Sequence, residues 1–229
     1  MTDRKHTQLI DSTQIPGSDA ELQLFVRDDT YTIRITDIPG DLMNSRSHSS
    51  EDSLGTLSCR RLQQVNSARV LIGGLGMGFT LAAALSCLDA DARVVVAELV
   101  PGVVEWNRQQ LGECAGHPLK DSRVTIRSED VRNLIEAASN DFDAILLDVD
   151  NGPEALTHPH NDHLYSLTGL QQAHQALRSG GTIAVWSAAP SATFRKRLES
   201  AGFSVTEKQV RAHKGRGARH TIWLATRPA

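Results

Sequence analysis

Val70-Leu71-Ile72-Gly73-Gly74-Leu75-Gly76-Met77-Gly78-Phe79-Thr80 is the stretch that decides the fold of this chain. Its apolar opening predicts a short strand over 69–72 that is buried on both faces. Glycines at alternate positions follow, Gly74, Gly76 and Gly78, and a helix is expected from Phe79 to about Leu88. Glycine lets the backbone turn sharply and lets a ligand come close to the first turn of the helix. About twenty residues later a second strand, Arg93 to Glu98, ends on an acid placed to accept hydrogen bonds from both hydroxyls of a ribose. A dinucleotide site would want its third glycine one residue later, to fit a pyrophosphate, and Phe79 stands there instead. Together these features predict an adenosyl cofactor without a pyrophosphate, with S-adenosylmethionine fitting best: its amino-acid tail needs only backbone groups near the loop.

Downstream of this unit the pattern alternates strand and helix, which predicts parallel strands joined by right-handed crossovers. Pro101 opens a helix through Leu111, and Val124 to Arg127 reads as the third strand. Asp130 follows it, placed either to grip an adenine amino group, with Val131 against the ring, or to cap the helix from Val131 to Ala138. Ala144 to Asp148 is the fourth strand. A helix from Thr168 to Leu177 is expected to stop at Gly180-Gly181, before a fifth strand from Thr182 to Ser187. A helix over Ala192 to Ala201 precedes two closing strands, Ser204 to Val210 and His220 to Ala225, joined by a basic turn around Lys214 to Arg219 that reads as a solvated loop. An α/β sheet in this order, with an antiparallel closing pair, is that of a class I S-adenosylmethionine-dependent methyltransferase, a Rossmann-like fold.

Upstream, residues 1 to 20 show no sustained period and are expected to form a flexible arm. Glu21 to Arg27 and Thr30 to Thr36 read as a β-hairpin, and Ser49-Ser50-Glu51-Asp52 as the start of a helix to about Gln64. The expected organisation is therefore an arm over 1–20, a hairpin-and-helix appendage over 21–66 and a Rossmann-like catalytic domain over 67–229.

The chain has 24 basic and 27 acidic residues, a net charge of -3, so no global field favours nucleic acid or an anionic membrane. A small-molecule acceptor is the expected partner. Cys59, Cys87 and Cys114 lack any CxxC spacing and read as packing residues. The polar N-terminus has no apolar segment of the kind that targets secretion, and a cytoplasmic location is expected.

The glycine stretch, Glu98 with Pro101, Asp130, and Phe142-Asp143-Ala144-Ile145-Leu146-Leu147-Asp148 with Gly152-Pro153 resemble the spermidine synthase family of aminopropyltransferases. The resemblance covers roughly residues 69–187. It implies a class I methyltransferase fold, a small β-domain before it, frequent homodimers and decarboxylated S-adenosylmethionine as an alternative cofactor. Two departures matter. The family carries an aspartate in the glycine loop that pairs with the amine of the decarboxylated cofactor, and here that position is Met77. An aspartate would repel the carboxylate of the intact cofactor by on the order of 4 kcal/mol at an effective dielectric near 20. Met77 removes that repulsion, and the Gly78-Phe79-Thr80 sequence resembles putrescine N-methyltransferases, so the intact cofactor and methyl transfer are preferred over aminopropyl transfer.

The second departure is the loop after the fourth strand. In the family it carries two aspartates; here Asp148 matches the first, the loop is two residues shorter, and Asp150 or Asn151 must stand in for the second. Asp150 is the candidate base, and the alternative is that 150–153 is only a turn. His158, His160 and His163, with Asp162 and Tyr165, are irregularly spaced and read as a lid over the acceptor rather than a metal site; no metal is expected. Ser47 to Asp52 could line the pocket or only cap a helix. The candidate site is therefore Asp148 and Asp150 for catalysis, with Gly74, Gly76, Met77, Gly78, Glu98, Asp130 and Val131 for the cofactor. Methyl transfer to a small amine-type nucleophile is the expected activity. Aminopropyl transfer and a non-catalytic cofactor-binding protein are the alternatives.

Overall fold

A computed structural model describes residues 7–149, 153, 163–213 and 216–229. The main sheet has seven strands: β5 (Arg69–Gly73), β6 (Arg93–Ala97), β7 (Val124–Arg127), β8 (Phe142–Leu147), β9 (Leu177–Ser187), β10 (Ser204–His213) and β11 (Arg216–Thr226). Their spatial order is β10-β11-β9-β8-β5-β6-β7, and the five strands from β9 to β7 are mutually parallel. β11 runs antiparallel to both β9 and β10, the closing arrangement expected from the sequence.

The strand sequences explain the layering. On β5, Val70 and Ile72 face one side and Leu71 the other, and all three are fully buried. Residues alternate across a strand, so a strand apolar at every position must be covered on both faces. One face packs under helices α1 (Ser49–Cys59), α2 (Phe79–Leu85) and α3 (Pro101–Arg108). The other packs under α4 (Val131–Glu136), α5 (Leu167–Ala176) and α6 (Ala192–Ser200), where Phe194 and Trp223 meet edge to face at 5.7 Å.

The N-terminal region differs from the sequence expectation. Gln8–Gln14 is a strand, β1, not part of a flexible arm, and with β2 (Glu21–Arg27), β3 (Thr30–Ile35) and the short β4 (Met43–Asn44) it builds a four-stranded antiparallel sheet. The strand was hard to read because most of its residues are exposed and its anchoring is polar: Trp106 Nε1 of α3 donates to Asp11 at 2.8 Å. A side chain at Gly102 would lie 2.5 Å from Thr13, so the glycine is what lets β1 press onto α3.

The helix before β9 also ends differently. α5 stops at Ala176, and the chain passes directly into the strand at Leu177, so Gly180-Gly181 lies inside β9 and pairs with Arg227 through backbone hydrogen bonds. The first helix is shorter than expected, α1 ending at Cys59 and continuing as a 3₁₀ turn to Leu62. Among the described residues no helix is long and apolar enough to cross a membrane.

Candidate functional site

The carboxyl ends of the parallel strands and the N-terminal sheet enclose a cavity of about 450 Å³. This is where open α/β sheets place their ligands, beside the point at which strand order reverses between β5 and β8. A second cavity, of about 530 Å³, lies at the opposite end of β5 to β7, bounded by Arg69, Arg93 and Arg123, away from the glycine loop.

The glycine loop forms one wall of the first cavity. Gly74, Gly76 and Gly78 have φ of 87°, 51° and 83°, in the left-handed region that a side chain disfavours. Gly74 is fixed by sterics as well, because a Cβ there would meet the Asp148 carbonyl oxygen at 2.5 Å. Asn107, buried on α3, steadies the loop: its Nδ2 donates to the Gly76 carbonyl at 2.8 Å. Met77 is buried and contributes to the cavity wall.

Glu98 lies buried just past β6. It accepts the Leu75 N–H at 2.9 Å and the Val100 N–H at 2.8 Å, so one carboxylate ties the glycine loop to the start of α3. Burial pushes its carboxyl above the usual range, opposed by the backbone donors around it. Asp130 caps α4 by accepting the Arg132 N–H at 2.9 Å, and its other oxygen takes two hydrogen bonds from the Arg132 guanidinium. The capping role is thus observed, and Asp130 and the buried Val131 still form part of the cavity wall.

Asp148 stands at the end of β8, its backbone N–H bonded to the Gly73 carbonyl at 2.9 Å. Thr80 Oγ1 donates to its carboxylate at 2.6 Å. Burial, and then the neighbouring charge of Glu51, raise its carboxyl to about 7, against the Thr80 hydrogen bond that lowers it. Glu51, in the first turn of α1, is raised as well, chiefly by burial, and accepts a hydrogen bond from Ser50. The two acids border the same cavity, and the charge of Glu51 disfavours ionisation of Asp148. Beside them His48 stacks on Phe79, ring centres 3.9 Å apart and planes within 10°, while its Nδ1 bonds Asp52 at 2.8 Å.

The structure therefore gathers Gly74, Gly76, Met77, Glu98, Asp130, Val131 and Asp148 on one cavity, with Gly78 turning the loop into α2. Asp150, Asn151, His158, His160 and Asp162 lie outside the described residues. Tyr165 is not part of a lid. It is buried against Phe194 and its hydroxyl reaches the Val149 carbonyl at 3.3 Å, because the turn before α5 folds back into the core. Among the described residues no group of three or more His, Cys, Asp or Glu is placed to hold a metal. Sequence reasoning missed Asn107 and Trp186 altogether. It left Glu51 between a pocket and a capping role, and the structure puts it on the cavity.

The sequence pattern of an S-adenosyl-L-methionine-dependent methyltransferase family matches residues 97–221, more than half of the chain. The chain belongs to that family. No curated protein matches the chain. Among solved structures, a spermidine synthase in complex with the transition-state analogue AdoDATO superposes with a TM-score of 0.72 at 18% identity, covering 95% of this chain and 72% of the other. The spermidine synthase from Thermotoga maritima gives 0.73 at 19% identity with the same coverage. At this identity the likeness establishes a shared fold, including the N-terminal sheet. The family match begins downstream of the glycine loop, so the loop's spacing stands as an independent observation.

Proposed function

We propose that this methyltransferase-family chain binds intact S-adenosylmethionine and methylates a small amine. The observation that carries the reading is a single cavity that runs from Glu98 and the glycine loop to the paired carboxylates of Asp148 and Glu51.

The residues suit an adenosyl group. The glycine loop lies along the cavity wall at Gly74 and Gly76, and Glu98 presents a buried carboxylate to the same cavity. In this reading Glu98 holds the ribose hydroxyls, Val131 packs on the adenine and Asp130 takes its amino group. The backbone of the loop beside Met77 receives the amino-acid tail, and the loop, Gly73 to Phe79, itself carries no acidic side chain to repel its carboxylate. When bound, S-adenosylmethionine supplies an electrophilic methyl group on a sulfonium.

Asp148 and Glu51 perform the rest. An ammonium placed between them is held by charge, and a carboxyl titrating near 7 is matched to accept its proton at neutral pH, leaving a neutral nitrogen lone pair. Thr80 fixes the Asp148 carboxylate in position. The N-terminal sheet covers the glycine loop, Met43 lying 3.1 Å from where a Gly76 side chain would begin. Alignment and desolvation supply most of the rate for such a transfer.

The same acidic pair would also anchor a diamine, which keeps aminopropyl transfer from decarboxylated S-adenosylmethionine as the second reading. The products separate the two. Incubation with candidate amines and either cofactor, followed by mass spectrometry, should give S-adenosylhomocysteine and a product heavier by one methylene. Methylthioadenosine and an aminopropylated amine would establish the second reading instead.

A further inference from the structure

We infer that the acceptor is an amine with one cationic end and an apolar body. The inference rests on the amine-methylating reading of the same cavity, and it names the class of amine.

Five acids line the described wall: Glu51, Glu98, Glu129, Asp130 and Asp148. Glu98, Glu129 and Asp130 follow β6 and β7, at the end assigned to the nucleoside, and Arg127 and Arg132 already pair with Glu129 and Asp130. That leaves Glu51 and Asp148 as one anionic locus. Among the described residues the wall outside this locus is aliphatic and aromatic, formed by Leu22, Ile35, Leu42, Met43, Phe79 and Trp186. The one polar side chain among them, Asn44, is committed elsewhere: its Oδ1 accepts the Arg46 N–H at 2.9 Å and its Nδ2 lies 3.5 Å from the Thr32 hydroxyl.

An amine seated with its nitrogen between Glu51 and Asp148 sends its other end along this wall. A second ammonium there would be desolvated, with no carboxylate among the described residues of that wall to pair with, which is strongly unfavourable. A methyl or phenyl end would instead bury apolar surface against Leu42, Met43 and Trp186. The wall therefore discriminates by repelling a second charge as much as by attracting the alkyl chain.

Two amines of equal heavy-atom count test this: n-pentylamine and 1,4-diaminobutane. Each is titrated calorimetrically into the full-length protein saturated with S-adenosylhomocysteine. Pentylamine is expected to bind at least tenfold more tightly. Equal or tighter binding of the diamine overturns the inference while leaving the amine reading in place. Failure of both amines to bind, with S-adenosylhomocysteine bound, overturns the amine reading itself. The Leu42→Asp variant adds a second carboxylate to this wall and should shift the preference at least tenfold toward the diamine. An unchanged preference, in a variant that binds S-adenosylhomocysteine as the wild type does, refutes the placement of the acceptor along this wall.

Discussion

Replacing Asp148 with asparagine should make the protein more stable at neutral and alkaline pH while removing its affinity for amines. Asparagine keeps the shape of the side chain and an acceptor for the Thr80 hydroxyl, and removes only the charge. A carboxyl that titrates at 3.8 in the unfolded chain and at about 7 in the fold favours the folded state less as pH rises. The sign follows from which state ionises first. Below 3.8 both states are protonated and nothing is lost; between 3.8 and 7 the unfolded state sheds its proton and the folded state does not; above 7 the loss is complete. At 1.36 kcal/mol per tenfold, the full loss is ~4 kcal/mol, an upper bound because the carboxyl faces a cavity open to water. Of this, about 2–3 kcal/mol accrues between pH 5 and pH 8. Urea unfolding of wild type and Asp148→Asn at pH 5, 6, 7 and 8 checks it. The variant's advantage should grow with pH by about 2 kcal/mol and level off above pH 7. An advantage that does not change with pH would refute the claim that burial and Glu51 raise this carboxyl toward neutral pH.

Three further outcomes follow from the site and its supports. Glu98→Ala should weaken S-adenosylhomocysteine binding by more than tenfold in calorimetry, because it removes the carboxylate that also anchors Leu75 and Val100. Gly74→Ala should lower stability by roughly 2–4 kcal/mol in the same urea assay, since its φ of 87° is strained for alanine and the new Cβ would strike the Asp148 carbonyl. Gly102→Ala should loosen β1 from α3, accelerating limited proteolysis around residues 7–20 while the main sheet's circular dichroism stays unchanged.

The parallel sheet was legible because strands such as Val70 to Ile72 and Ala144 to Leu147 are apolar at every position, a pattern only double coverage explains. The glycine loop and Glu98 were legible because turn chemistry and strand ends are local. β1 was not, since its hold on α3 comes from one hydrogen bond and a close approach at Gly102, neither of which leaves an alternating apolar pattern. Gly180-Gly181 misled for a related reason: a glycine pair reads as a helix stop, yet these glycines sit in β9, paired with Arg227 near the chain's end. In the site, Glu51 carries the same residue type whether it favours a helix's first turn or lines a pocket. The packing of α1 against α2 and against β8 is what brings it to Asp148. Asn107 and Trp186 depend wholly on tertiary placement, because a buried amide on a helix and a tryptophan in a strand are ordinary core residues until a loop or cavity meets them.

The most direct test of the account is the choice of cofactor. Calorimetric titration of the wild-type protein with S-adenosylmethionine and with decarboxylated S-adenosylmethionine should show tighter binding of the intact form, and Met77→Asp should reverse that order. Tighter binding of the decarboxylated form by the wild type would contradict the assignment of methyl transfer.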